Sequence, residues 1–171
     1  MKHTISVLVE NQAGVLSKVS GLFSRRAFNI ESLAVGETEN PAVSRMTILV
    51  EGDDYTVEQI EKQLNKIIPV IKVKTLSPGS FVRRTLALIK VAATGSKRSE
   101  VIQIAEMTGA RIVDAARSTI TLEITDTEEK ISTLLSLLAP FGVREMVRTG
   151  AIAIETGDGV TLTPAAPKKK A

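Results

Sequence analysis

The hydrophobic pattern of this chain switches repeatedly between two periods, and the order of the switches most constrains its fold. Residues 3–10 (HTISVLVE) alternate as a strand does, and residues 15–23 then place apolar side chains at helical spacing. Four further elements follow: strands at 28–35 and 43–51, a helix that ends before Pro69, and a strand at 70–76. This strand–helix–strand–strand–helix–strand order predicts a ferredoxin-like unit.

The same order occurs a second time after the Ser-Pro-Gly-Ser sequence at 77–80, which is typical of a domain boundary. Its elements are a strand at 84–93, a helix at 97–107, strands at 111–115 and 119–124, a helix that ends at Pro140, and closing strands at 143–147 and 151–154. From Thr156 the chain is rich in Gly, Pro, Ala and Lys, which predicts a disordered tail. We therefore expect an α+β fold of two consecutive ferredoxin-like domains, at 1–77 and 81–155, followed by a tail at 156–171.

Polar residues near the start of the second helix of each half have the spacing of capping residues. Thr56 with Gln59, and Asp126 with Glu129, match a capping box, while Asp53 precedes the first of these pairs. An aspartate at this place accepts hydrogen bonds from free amides and complements the helix dipole. We expect the two helices to begin close to these residues.

Several strands are apolar on both faces, as in Val7-Leu8-Val9 and Ile48-Leu49-Val50. Two helices in each half cover only one face of a sheet, so the other face is expected to meet the second domain, another copy of the chain or a different protein. An exposed and slightly apolar face is the simpler alternative. We favour self-association.

The charge of the chain gives little support for a nucleic-acid partner. Lys and Arg number 22 against 19 Asp and Glu, and the surplus of three equals the lysines at 168–170. The remaining sequence is neutral and lacks the clustered basic residues that bind phosphates. The two central strands of the first half contain no aromatic residue on which bases could stack.

The residue types that most catalytic and metal sites need are missing. The chain has no Cys and one His, which excludes disulfides, thiolate chemistry, Cys/His zinc sites and triads with a histidine base. It has no GxxxxGK[ST] or GxGxxG sequence, and no carboxylates spaced for acid–base catalysis. We expect no catalytic residue and no metal site. No apolar stretch approaches the roughly 18 residues of a membrane helix, so we expect a soluble, cytoplasmic protein.

The loop between the first strand and the first helix has residues suited to a small anionic ligand. Gly14 allows close approach of the backbone at a helix start, where free amides and the helix dipole favour a carboxylate. Asn11 adds an amide donor and a carbonyl acceptor, and Asn29 lies at the entry to the second strand. The alternative is that all three are turn and capping residues only.

Seven segments together resemble the regulatory (small) subunits of acetolactate synthase, an ACT-domain family. The segments are ISVLVENQAGVLSKVSGLF (5–23), FNIESLAVGET (28–38), SRMTILVEGD (44–53), EQIEKQLNKI (58–67), LALIKV (86–91), GARIVD (109–114) and REMVRTGAIA (144–153). The resemblance extends in order over about residues 3–155. The sequences NIES, SRMT and RTG make it more specific than a general ACT pattern.

The resemblance implies an N-terminal ACT domain that binds a branched-chain amino acid, usually valine, between two copies of the chain. It implies no catalysis by this chain and no cofactor in it. The partner would be the acetolactate synthase catalytic (large) subunit, which would hold thiamine diphosphate, Mg and FAD. Binding of this chain would activate that subunit and make it sensitive to feedback inhibition. The implied effector-binding residues are Asn11, Ala13, Gly14, Val15, Leu16, Asn29 and Ile30. The alternative function is a stand-alone ACT amino-acid sensor that acts on another enzyme or regulator.

Overall fold

A computed structural model describes residues 1–161, which form two compact units. The first unit contains residues 1–82 together with the chain from Ala151, and the second contains residues 83–150. Residues 162–171 of the predicted tail lie outside the described part of the chain, and residues 156–161 contain no helix or strand. Among residues 1–161, no helix combines the length and apolar character that a membrane crossing requires.

The first unit is a four-stranded antiparallel sheet with two helices. Its elements are β1 (Lys2–Glu10), α1 (Val15–Arg25), β2 (Ile30–Glu37), β3 (Val43–Glu51), α2 (Asp54–Leu64) and β4 (Val70–Leu76). The strands lie in the order β2-β3-β1-β4, so β2 and β4 are its edges. Ile5 pairs with Ile48, which in turn pairs with Leu33, and this register places one apolar side chain of each strand in a single core.

The helices cover the face of this sheet to which β1 contributes Ile5, Val7 and Val9. Helix α1 buries its apolar stripe here, and its Phe23 ring packs edge-to-face on Phe28 with 6.2 Å between ring centroids. The predicted fold class, two βαββαβ halves of an α+β protein, is thus confirmed for the first half.

Helix α2 begins three residues earlier than an N-cap at Thr56 predicts. Asp53 is its N-cap, and the side chain accepts a hydrogen bond from the Thr56 amide at 2.8 Å. Hydrogen bonding from Thr56 also holds the pKa of Asp53 below its usual value. The capping role of Asp53 is confirmed, and the capping box at Thr56 and Gln59 was wrong, because Thr56 lies inside the first turn and its amide donates to Asp53.

The second unit repeats the architecture. Its elements are β5 (Phe81–Ala92), α3 (Lys97–Thr108), β6 (Arg111–Ala115), β7 (Thr119–Asp126), α4 (Glu128–Leu138), a short 3₁₀ helix (Ala139–Phe141) and β8 (Val143–Arg148). The strand order is β6-β7-β5-β8, and the first two residues of β5 belong to the first unit. Ile89, Leu122 and Leu134 are fully buried at the centre of its core. Thr127, rather than Asp126, caps α4 by accepting from the Lys130 amide.

The last strand, β9 (Ile152–Glu155), pairs with β5, and its contacts group it with the first unit. The sequence pattern placed residues 151–155 in the second domain as a closing strand. In the structure, three hydrogen bonds connect them to the first sheet, on the face opposite the helices. Part of the face that we expected to meet a partner is therefore covered by the chain's own C-terminal segment.

Gly14 and Gly36 allow a test of backbone conformation in the first unit. Gly14 has φ +83°, in the left-handed region, whereas Gly36 lies in β2, and a Cβ added at either would meet no atom within 4 Å. We expect Gly14→Ala to lower the free energy of unfolding by about 1 kcal/mol through backbone strain alone. Gly36→Ala should leave it unchanged or raise it slightly.

Urea unfolding followed by the fluorescence of Tyr55 measures both variants, because this tyrosine of α2 is the only one in the chain and reports the first unit. Equal stabilities of the two variants would contradict the assignment of a left-handed conformation to Gly14.

Candidate functional site

Asn11 connects the loop after β1 to the far end of β2. Its backbone amide donates to the Ala42 carbonyl at 2.8 Å, and its side-chain Nδ2 donates to the Pro41 carbonyl at 2.9 Å and to Glu37 Oε1 at 3.1 Å. Both side-chain donor hydrogens are therefore used within the chain. The exposed Oδ1 is the group that Asn11 can offer to a ligand, and it is an acceptor.

Gly14 is the N-cap of α1 and leaves this helix start open. No side chain caps the helix, and its first turn contains no acidic residue. In contrast, α2 is capped by Asp53 and has Asp54 in its first turn. The first-turn amides of a helix have no partner inside the helix and carry its positive dipole end. The loop thus exposes amide donors and no negative group of the helix itself, an arrangement that favours an anion.

The other residues of this loop divide into two kinds. Ala13 and Gly14 are exposed, and Leu16 leaves 45% of its surface accessible. Val15, in contrast, is only 4% exposed and packs in the core, so its side chain supports α1 while its backbone faces the loop. Leu16 is therefore the apolar surface that the loop offers beside the open helix start.

Asn29 and Ile30 lie at the opposite end of the sheet. Ile30 pairs with Val50, whereas Glu10, next to Asn11, pairs with Val43 seven positions earlier on the same strand. At the usual rise per residue of an antiparallel strand, seven positions correspond to about 23 Å. The structure therefore does not bring Asn29 and Asn11 of one chain together. Asn29 is exposed, so its side chain is accessible to a ligand.

Glu37 takes part in this loop's hydrogen bonds and was missed by the sequence analysis. It is 26 positions from Asn11, and the contact arises only because the register of β2 on β3 returns its end to the β1–α1 loop. Glu10, at the end of β1 directly before Asn11, accepts a hydrogen bond from Gln12 Nε2 at 2.7 Å. Two carboxylates thus border the loop, and they favour a ligand that carries a positive group besides its anionic one.

The described residues contain no group of three His, Cys, Asp or Glu side chains placed to hold a metal ion. The site's chemistry is that of hydrogen bonding and charge. Amide donors, one acceptor oxygen and an apolar side chain can together recognise a small zwitterion.

Comparisons with known proteins identify the family of the chain. Residues 5–72 match the model of the AHAS small subunit-like ACT domain, and residues 84–157 match that of the small subunit of acetolactate synthase. The chain is 51% identical over 158 residues to a probable acetolactate synthase small subunit from Archaeoglobus fulgidus, covering 92% of this chain and 99% of the relative. It is 48% identical over 155 residues to the acetolactate synthase small subunit of Mycolicibacterium smegmatis, covering 91% of each.

A solved structure extends the agreement to three dimensions. The crystal structure of an acetolactate synthase small subunit from Thermotoga maritima is 41% identical and matches with a TM-score of 0.88, covering 93% of this chain and 99% of the other. The matches cover both units and nearly the whole length of the relatives. The chain belongs to the acetolactate synthase small-subunit family and contains an ACT domain at residues 5–72.

Proposed function

We propose that this chain is a non-catalytic regulatory subunit that activates the acetolactate synthase large subunit and makes it sensitive to feedback inhibition by valine. The observation that carries this proposal is the open start of α1 at Gly14 beside Asn11, in a chain of this family. The regulated pathway would be the cytoplasmic biosynthesis of valine and isoleucine. Neither a membrane nor a nucleic acid is a partner in this proposal.

The groups at the loop match the parts of a branched-chain amino acid. The first-turn amides of α1 would take the α-carboxylate, and the helix dipole would favour its charge. The Oδ1 of Asn11 would accept from the ammonium group, with Glu37 nearby to balance its charge. Leu16 would pack on the branched side chain, since its surface is 45% exposed beside the loop.

A complete site in this proposal is built from two copies of the chain. β2 is an edge strand with free backbone groups along one side, which is a template for pairing with a second copy. Antiparallel pairing of β2 with β2 around a two-fold axis places the start of one strand beside the end of the other. Asn29 and Ile30 of the partner subunit would then approach Glu37 and Asn11, and the 23 Å separation within one chain would be closed.

The catalytic chemistry is assigned to the large subunit, together with thiamine diphosphate, Mg and FAD. The relatives' names identify small subunits, which implies a large subunit as partner. Regulation then requires that the effector bind two states of the assembly with different affinity. The effector itself contacts only the small subunits in this proposal.

A stand-alone amino-acid sensor is the alternative function, and it predicts effector binding with no change in acetolactate formation. Family membership of both units favours the subunit role, since the match extends through residues 84–157 rather than the ACT domain alone.

Acetolactate production by the cognate large subunit tests the proposal. We expect the rate to rise when this chain is added and to fall again as valine is titrated. Gly14→Asp should retain the activation and abolish the response to valine, because its carboxylate would repel the effector's carboxylate at the helix start.

Gly79→Asp is the matched control for this variant. Gly79 also has a left-handed φ, of +80°, and open space around its Cα, and it lies in the turn after β4. The Gly79→Asp variant should be inhibited by the same valine concentration that inhibits the wild type. Inhibition of Gly14→Asp at that same concentration would show that the effector binds elsewhere.

Subunit mixing tests whether two copies build each site. Asn11→Ala and Asn29→Ala homodimers should each bind valine much more weakly than the wild type, by at least about tenfold. A heterodimer of the two variants has one site that lacks both asparagines and one site that retains both. We expect calorimetry to detect one wild-type site per heterodimer, whereas a site within a single chain would give none.

A further inference from the structure

Residues 151–155, here named the return segment, cross the sheet of the first unit and contact three of its strands. The Ala151 amide donates to Ser32 Oγ of β2 at 2.8 Å, and the Ala153 carbonyl accepts from Arg45 Nη2 of β3 at 2.9 Å. Lys74 of β4 forms an ion pair with Glu155, with Nζ to oxygen distances of 2.7 and 2.8 Å. One polar contact thus holds the segment to each of β2, β3 and β4.

Two kinds of contact hold the return segment in place: strand pairing with β5 and, towards the first sheet, polar contacts with little apolar burial by its own side chains. Ala151 and Ala153 are each 7% exposed, so the residues that face the sheet are small. Ile152 and Ile154 are each 61% exposed and leave most of their apolar surface in solvent. At the first sheet, the segment's own side chains contribute only two buried methyl groups, and water replaces its hydrogen bonds to that sheet on release, while its pairing with β5 persists.

The sheet face beneath the segment contains polar groups that the bound state leaves unsatisfied. The hydroxyl of Ser6 is fully buried on the central strand β1, and neither it nor the Nε of Arg45 has a hydrogen-bond partner among the described residues. Ser6 pairs with both Thr47 and Lys74 in the register, so it lies between the strands that the segment bridges. Burial also lowers the pKa of Arg45, although Glu155 and Glu39 act to raise it. Exposure to water would hydrate the Ser6 hydroxyl and the Arg45 guanidinium, which lowers the free-energy cost of releasing the segment from the sheet.

The segment also connects β2 to the second unit through the chain itself. Ser32 lies two residues after Ile30, near the start of β2. Asn29, which directly precedes this strand, contributes to the proposed effector site. Gly150, directly before the segment, is the last residue of the second unit. A shift of the start of β2 would therefore change the Ser32–Ala151 hydrogen bond first.

We propose that the return segment is a releasable element that transmits effector occupancy at the start of β2 to the second unit. Effector binding holds β2 in the position at which Ser32, Arg45 and Lys74 retain the segment, and the effector-free chain releases it more often. This inference rests on the proposed function, because it assigns a route to the regulation described there.

The maximal inhibition at saturating valine separates transmission from binding. In the complex with the large subunit, we expect Lys74→Met and Ser32→Ala to activate normally in the absence of valine. The fraction of activity that saturating valine removes should fall by about threefold or more in both variants, within the range of ordinary coupling energies. A variant that only weakened binding would instead reach full inhibition at higher valine concentration.

Lys72→Met is the matched control. Lys72 lies on the same face of β4 as Lys74, and no ion pair to a described residue is found for it. It should be inhibited as fully as the wild type. Lys74→Arg, which keeps the charge that pairs with Glu155, should also be inhibited fully, and this rescue by a conservative variant shows that the charge rather than the shape of residue 74 is required.

Hydrogen exchange on the small subunit alone gives a readout that needs no catalytic partner. Valine should slow exchange of the Ala151 amide in the wild type and have a smaller effect in Lys74→Met. Two results would overturn the inference and leave the proposed function standing, provided that valine inhibits the wild type. One is full inhibition of both Lys74→Met and Ser32→Ala, and the other is exchange at the Ala151 amide that valine does not change. A wild-type complex that does not respond to valine would overturn both.

Discussion

The antiparallel register of β1, β3 and β2 determines where every functional group of the first unit lies. Ile5 opposite Ile48, and Ile48 opposite Leu33, place one face of each strand in the core, and a slip by one residue would reverse all three. The same register returns the end of β2 to the β1–α1 loop, where Glu37 meets Asn11. It also holds the start of β2 at the far end of the sheet. The separation of the two groups of site residues is thus a direct consequence of core packing.

The open start of α1 has a cost that the rest of the unit offsets. Helix α2 is stabilised by the Asp53 cap, and α1 has no comparable side chain. Its stability comes instead from the burial of Val19, Leu22 and Phe23 and from the Phe23–Phe28 contact. Helix stability in proteins arises mostly from such packing, so the first turn needs no side-chain cap, and among the described residues only the Val15 amide of that turn donates within the loop, to the Gln12 carbonyl. The structure therefore keeps unsatisfied donors where a ligand can use them.

The sequence predicted those features that depend on neighbouring residues. The two βαββαβ series follow from hydrophobic period, and Asn11 and Gly14 remain predicted site residues, chosen because a single loop contains both. Contacts between distant residues had no such signal. Glu37 could not be identified, since its contact with Asn11 depends on strand register. The capping boxes were wrong because Asp53 and Thr127 are the N-caps instead of Thr56 and Asp126. The residue types within one loop could be predicted from the sequence, whereas the distant residues that the sheet places beside that loop could not.

The return segment shows that alternation predicts a strand without showing which sheet its side chains face. Ala151, Ile152, Ala153 and Ile154 alternate as a strand should, and the pattern correctly predicted extended backbone there. Alternation states which side chains share a face, but not against which sheet that face packs. That choice depends on Ser32, Arg45 and Lys74, which are about 80 to 120 positions away in the chain. In the proposed regulation, small residues held at this sheet by polar contacts can leave it while the pairing with β5 persists, which suits the segment to transmitting a change.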